Sequence, residues 1–386
     1  MRVLHINERL SARGGADRHL VAVLGHLQGR AETLLAVGHD DLSLPPAERA
    51  GLGPWRVVKG LMRAGLAPAG GGAARRRLAE AVAAFAPDLI HVHNLMDPEL
   101  LALAAASAPA LMTVQDHRAF CPGLGKLTPE GGLCRQPLGA HCARCFRDPG
   151  YGRRMIDLTR RRLEALAGFR RLLVLSRYMA EELAAAGVAP ARVTLLPPMA
   201  HGLTPRAARG PARHHLLAGR LVERKGVRVA LQAAMLLAAP LPLVVAGDGP
   251  LAAEVERAAA MSGGRVVFAG WADRQRMQAL LAGAASLWLP SLWAEPFGIS
   301  GLEAMALGTP VATSAVGGVG DWLEHGRNGL LVPPGDALAL ARAADRLAGA
   351  QGAAMGAAGA ALAAQRFSAQ TLTARLLDCY REVAAA

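Results

Sequence analysis

A rhythm of short apolar runs, glycine turns and helically spaced stretches restricts this chain more than any other feature. "VLHIN" (Val3–Asn7) leads through "SARGGAD" into "RHLVAVLGHL" (Arg18–Leu27). The same order recurs at "DLIHVHN" (Asp88–Asn94), "ALMTVQD" (Ala110–Asp116) and "RLLVLS" (Arg171–Ser176). It begins again at "HHLLAGR" (His214–Arg220) and "LPLVVAGDGP" (Leu241–Pro250), then runs through "RVVFAG", "ASLWLPS", "TPVATSA" and "NGLLVPPGD". Strands that alternate with helices pair in parallel, because each helix carries the chain back to the same end of the sheet. Between the two series lies "LPPMAHGLTPRAARGPAR" (Leu196–Arg213), which has no period and reads as a linker. A length of 386 residues also exceeds a usual single core. The expected fold class is therefore α/β, with two Rossmann-like domains facing across a cleft. Residues 1–198 and 212–370 form the domains, and a helix over 371–386 is expected to cross back to the first. Ala64–Arg77 reads as a flexible loop, and Ala348–Ala364 as a weakly specified helix interrupted by glycines.

Ligands of such sheets bind at the carboxyl ends of the strands. There "EPFGISGLEAMALG" places Glu295 in a turn with the breakers Pro296 and Gly298, and Glu303 one turn inside the helix that follows. The amides near Gly298–Gly301 open that helix and suit an anion such as a diphosphate. Carboxylates repel phosphate but accept hydrogen bonds from hydroxyls. Glu303 therefore suits a ribose, and Glu295 a sugar ring. Cations come from "AGRLVERKG" (Ala218–Gly226), where Arg220 can fork onto a phosphate and Lys225 adds a point charge. "RGGAD" (Arg13–Asp17) is a second glycine loop opening a helix. Together these form a clamp for a sugar nucleotide.

This pattern resembles glycosyltransferase family 4. Glu295 and Glu303 match its Glu-x7-Glu motif, Arg220 and Lys225 its basic donor motif, and Gly14 and Gly15 its N-terminal glycine loop. "GGVGDWLEHGRNGLLVPPGD" fits as well. The likeness spans nearly the whole chain and is stronger in the second half. It implies the GT-B fold and transfer of a sugar from a nucleotide-diphosphate donor, with retention and no cofactor required for catalysis. The catalytic set it implies is Glu295, Arg220, Lys225 and His117. The donor-binding set is Gly14, Gly15, Gly219, Arg220, Lys225, Gly247, Phe297, Gly298, Ile299, Ser300 and Glu303. The acceptor is expected to be a glycan, a lipid-linked sugar or another hydroxyl, in bacterial cell-surface polysaccharide or glycolipid synthesis. Three places depart from the family pattern: "PPMAHG" (Pro197–Gly202), "QDH" (Gln115–His117) and Asp321. His117 either replaces the family histidine or follows it.

Four of the five cysteines, Cys121, Cys134, Cys142 and Cys145, fall within 25 residues, with His141 beside the closing CxxC. Structural zinc, free thiols and disulfides are the alternatives. A cytosolic setting favours zinc over disulfides, and four thiolates would close the site to substrate. Cys379 reads as a core residue, and so does one of the pair His91 and His93.

The net charge is +13, and residues 1–200 hold 26 basic against 17 acidic side chains. Such a field favours anionic partners. Arg153, Arg154, Arg160 and Arg161 fall on a basic helical stretch that reads as a solvated face or as a contact for an anionic membrane. "MRVLHINERL" has no signal-like apolar stretch, and no window is long enough to span a membrane. The expected location is cytoplasmic, peripheral on the inner membrane face.

Three other readings exist. A glycosidase acid–nucleophile pair would stand about 5–10 Å apart but has no need of a phosphate site. A nucleic-acid-binding protein with a zinc knuckle fits the charge and cysteines, yet few aromatics flank the arginines, so nucleic acid is not expected. A relative could also bind sugar nucleotides without turnover.

Overall fold

The computed structural model describes residues 1–62, 71–200 and 212–385. The chain divides into two compact units. One comprises residues 1–130, 134–199 and 369–386, the other residues 131–133 and 200–368. Most of the linker reading at 196–213 falls on residues outside the described ones, as does 64–70 of the expected loop.

The first unit holds seven strands: β1 (Arg2–Leu10), β2 (Glu32–Asp40), β3 (Trp55–Val57), β4 (Leu89–Asn94), β5 (Ala110–Val114), β6 (Arg171–Val174) and β7 (Val193–Leu195). The second holds six: β8 (His214–Ala218), β9 (Leu243–Ala246), β10 (Val266–Gly270), β11 (Ala284–Leu289), β12 (Val311–Ser314) and β13 (Gly329–Val332). The spatial orders are β3-β2-β1-β4-β5-β6-β7 and β10-β9-β8-β11-β12-β13. All neighbours pair in parallel. Each sheet is thus doubly wound. The central strands β5 and β11 are buried at every position, as expected where helices cover both faces. The order reverses between β1 and β4 in one unit and between β8 and β11 in the other. Those two points are where such sheets offer a crevice.

Two expectations from sequence change. Residues 71–77 belong to a regular helix, Gly71–Phe85, rather than to a loop. Its alanines and arginines are good helix formers, and Ala74, Leu78 and Ala81 bury one stripe. Ala350–Arg366 is one unbroken helix. Its glycines are contact points: a Cβ on Gly356 would stand 2.1 Å from the Gly308 carbonyl oxygen. The missing side chains let that helix lie directly on the turn after Ile299–Ala306.

The last helix, Ala369–Ala385, packs within the first unit. It buries Leu372, Leu376, Cys379, Tyr380 and Val383, and Arg375 donates to the Leu195 carbonyl at 2.6 Å. Tyr380 meets His91 Nδ1 at 2.6 Å. His91 and His93 are both core residues, not one of them, because positions i and i+2 of a strand share a face. They stack at 3.8 Å between ring centres, and His5 of β1 meets His93 at 2.9 Å.

Candidate active site

In the second unit the reversal point gathers the loops after β8 and β11. A Cβ on Gly226 would lie 1.8 Å from the Pro290 carbonyl oxygen, so only glycine lets these loops touch. Gly226 also takes φ +70°, where a side chain is strained. This approach brings Lys225 to Glu295. The ammonium donates to both carboxylate oxygens, at 2.7 and 3.0 Å. Trp293 Nε1 donates to the same carboxylate at 2.9 Å, and so does the Ser291 hydroxyl. Burial pushes the Glu295 carboxyl up, but the Lys225 charge and these donors outweigh it and hold it below the usual range. Behind it, Gly317 takes φ +56°, and a Cβ there would reach within 2.2 Å of the Glu295 carbonyl oxygen.

The helix Ile299–Ala306 begins beside this pair. Its cap, Gly298, is left-handed at φ +92°, and no side chain caps it. Ile299 and Ser300 form the first turn, and half-buried Glu303 follows one turn later. Phe297 is turned into the core against Trp322 and Phe367, and its carbonyl accepts from Trp322 Nε1 at 2.6 Å. What Phe297 can offer a ligand is therefore its backbone, not its ring. Arg220 is exposed, beside Gly219 at the end of β8, and Gly247 follows β9. Gly219, Arg220, Lys225, Gly247, Glu295 and residues 297–303 thus share one end of one sheet. Sequence reasoning missed Ser291 and Trp293 as partners of Glu295, and Arg224, whose guanidinium lies 4.8 Å above the Trp293 ring. The signal was local: "SLWAEPFG" places both partners within four residues of the carboxylate.

Gly14, Gly15 and His117 belong to the first unit. Gly14 caps the helix Gly15–Leu27, but Asp17 fills that helix start, and a Cβ on Gly14 would stand 2.7 Å from its carboxylate. Arg9 pairs with Asp17 at 2.6 Å. His117 is buried and meets the Tyr178 hydroxyl at 3.0 Å. Around the reversal of this sheet, Glu8 accepts from the Met96 amide at 3.1 Å and from Arg118 at 3.2 Å. Arg118 also binds Asp116 at 2.8 Å and Asn94. Burial raises the Glu8 carboxyl, against the pull of Arg118.

Cys121, Cys134, Cys142 and Cys145 line one small cavity with His141. Arg153, Arg154, Arg160 and Arg161 are exposed on the helix Pro149–Leu166, whereas Arg162 turns inward to the Met96 carbonyl at 2.7 Å. Among the described residues no single helix is long and apolar enough to cross a membrane.

Residues 13–200 match the family model described as Glycosyltransferase Family 4, and residues 212–349 the one described as Glycosyl transferases group 1. The 2-deoxystreptamine N-acetyl-D-glucosaminyltransferase of Streptomyces fradiae is 32% identical over 277 residues, 67% of this chain and 62% of that protein. The lipopolysaccharide core biosynthesis glycosyltransferase LpsE of Rhizobium meliloti is 37% identical over 134 residues, 33% of this chain and 37% of that one. The chain spans about a third of the length of several curated relatives it matches. Among solved structures, Anabaena HepE in complex with UDP and glucose superposes with a TM-score of 0.75 at 19% identity, covering 99% of this chain and 100% of that one. WaaG, involved in lipopolysaccharide biosynthesis, superposes with a TM-score of 0.67 at 18% identity, covering 98% and 99%. These superpositions establish the GT-B fold.

Proposed function

This chain belongs to glycosyltransferase family 4, and on that premise we propose that it transfers a sugar from a nucleotide-diphosphate donor to a hydroxyl acceptor, with retention. The observation that carries the proposal is the Lys225–Glu295 pair beside a helix start that no side chain caps. An ammonium has three donors. Two of Lys225's lie on Glu295, which leaves one for a phosphate oxygen. Glu295 is then a positioning residue: it aims a cation whose own chain is flexible. Arg220 and the amides of Ile299 and Ser300 supply further donors for the diphosphate, and Glu303 takes ribose hydroxyls. That Anabaena HepE was crystallised with UDP-glucose supports trying uridine donors first.

In the proposed step the bond from the anomeric carbon to the diphosphate oxygen breaks as the acceptor oxygen bonds to the same face. The acceptor proton leaves with the departing phosphate. Negative charge grows on that phosphate, and donors already fixed around it lower the barrier. No metal or other cofactor enters this scheme. His117 is assigned to the acceptor side. The acceptor is a glycan or lipid-linked sugar of a bacterial surface polymer, as the relative in lipopolysaccharide core biosynthesis suggests. The four exposed arginines then serve a peripheral contact with the inner face of the cytoplasmic membrane.

Calorimetric titration with UDP-, GDP- and ADP-sugars tests the donor site, with Glu303→Ala alongside. One nucleotide class should bind, and the substitution should weaken it. A folded protein that binds no donor sinks the proposal.

A further inference from the structure

Between β5 and the helix Pro149–Leu166, residues 121–145 carry little regular structure. The turn Ala140–Cys145 is followed back to few backbone ties, such as the Cys134 amide on the Lys126 carbonyl at 2.8 Å. All four cysteines belong to the first unit, and a stretch this long with so little regular structure needs another restraint. Its cysteines, two of them a CxxC pair and the others eight and twenty-one residues before it, line one cavity of about 20 Å³, the room of a single water or ion. Two nitrogens address the sulfurs: the Lys126 amide lies 3.4 Å from Cys121 Sγ, and His141 Nε2 lies 3.4 Å from Cys142 Sγ. Thiolate ligands of a metal require such outer donors. The buried Lys126 ammonium is committed elsewhere, to Glu182 at 2.8 Å and the Gln136 carbonyl at 2.6 Å.

We propose that Cys121, Cys134, Cys142 and Cys145 hold one structural Zn²⁺, with His141 as an outer hydrogen-bond donor to Cys142. Four S–H protons leave to solvent as four Zn–S bonds of about 2.3 Å form. No oxidant is involved. The site is closed to substrate, so this inference stands apart from the transfer reaction.

A tighter group of ligand atoms exists: those of His5, His91 and His93 all lie within 4.8 Å of one another. It is a poorer metal site. Both nitrogens of His91 are engaged, by Tyr380 and by Thr113 at 2.7 Å, and His5 binds His93. Three neutral rings in the core also bring no anion to offset a buried dication. The four thiols stand around a cavity, no three of their sulfurs lying within 4.8 Å of one another, so binding zinc requires them to move inward.

The test uses the untagged 386-residue chain purified under reducing conditions. Elemental analysis and native mass spectrometry should find one zinc per chain, and a thiol reagent should reach the four loop cysteines only after chelation. Cys142→Ser and Cys145→Ser should each lose zinc, while Cys379→Ser and His141→Ala keep it. Cobalt in place of zinc should give the intense visible bands of tetrahedral thiolate ligation. Metal below about a tenth of an equivalent with all loop thiols reactive, or a Cys142–Cys145 disulfide, overturns the proposal. Zinc lost in His141→Ala but kept in Cys145→Ser overturns the four-thiolate assignment. If the serine variants do not fold, thiol protection in the unaltered chain decides.

Discussion

The two sheets reverse their strand order in the same way but treat the helix start at that point differently. In the first unit Asp17 occupies the start of Gly15–Leu27, and Arg9 balances it. Nearby, Glu8 and Asp116 share the single guanidinium of Arg118. In the second unit Gly298 caps a helix start that holds no carboxylate of its own, and Lys225 stands beside it on Glu295. A helix start attracts one anion. Asp17 supplies a carboxylate at the first helix start, and the second offers its amides with no carboxylate in its first turn.

The comparison breaks most sharply at Lys225. Lys225→Ala should lower kcat/KM by about 10²–10³, the usual cost of one fixed donor to developing charge. A steady-state assay with the identified donor checks it, and an unchanged value removes Lys225 from the site. Glu295→Ala comes next. It should cost on the order of 2–3 kcal/mol of stability, less than the loss of a fully buried pair, because the Lys225 side chain is 33% exposed. Chemical denaturation reads that loss, and activity should fall with it as Lys225 loses its aim.

The third test contrasts the units by acid. Burial lowers the folded pKa of His5 to about 3 and of His19 to about 4, and holds His91 and His93 well below 6.5. In the second unit His215 falls to about 4, and His214 is lowered less. These rings are neutral when folded, so the unfolded chain takes up protons first as pH falls. Stability is complete above about pH 6.5 and drops below it, by up to ~1.4 kcal/mol per pH unit for each ring. Glu8 and Asp17 oppose this at lower pH, since burial raises their carboxyls and the folded state then binds protons first. Melting from pH 8 to 5 should show the first unit weakening sooner, and His93→Gln should flatten its slope. Equal slopes in both units would remove the contrast. The smallest effect belongs to Asp17→Ala, about 1 kcal/mol because Arg9 is partly exposed. Donor affinity should not change; a clear shift would make the first helix start part of the donor site.

Much of this molecule is legible in its letters. The alternation of apolar runs and helical stretches dictates parallel sheets, because helices return the chain to one end. "EPFGISGLE" announces a turn, a glycine cap and a helix, since each step depends on neighbouring residues only. The likeness to a family adds the pairing of that motif with Arg220 and Lys225.

What the letters do not carry is contact over distance. Nothing near residue 225 says that its ammonium will lie on Glu295, seventy residues on; that follows from β8 and β11 becoming neighbours and from Gly226 letting their loops touch. Likewise "RGGAD" does not announce that Asp17 will pair with Arg9 beside Gly14. The glycines of 350–366 read as interruptions until Gly308 is seen against Gly356. Local pattern determines which element forms. Only packing decides which groups are left to bind, because charges and close approaches are settled between elements that sequence spacing does not relate.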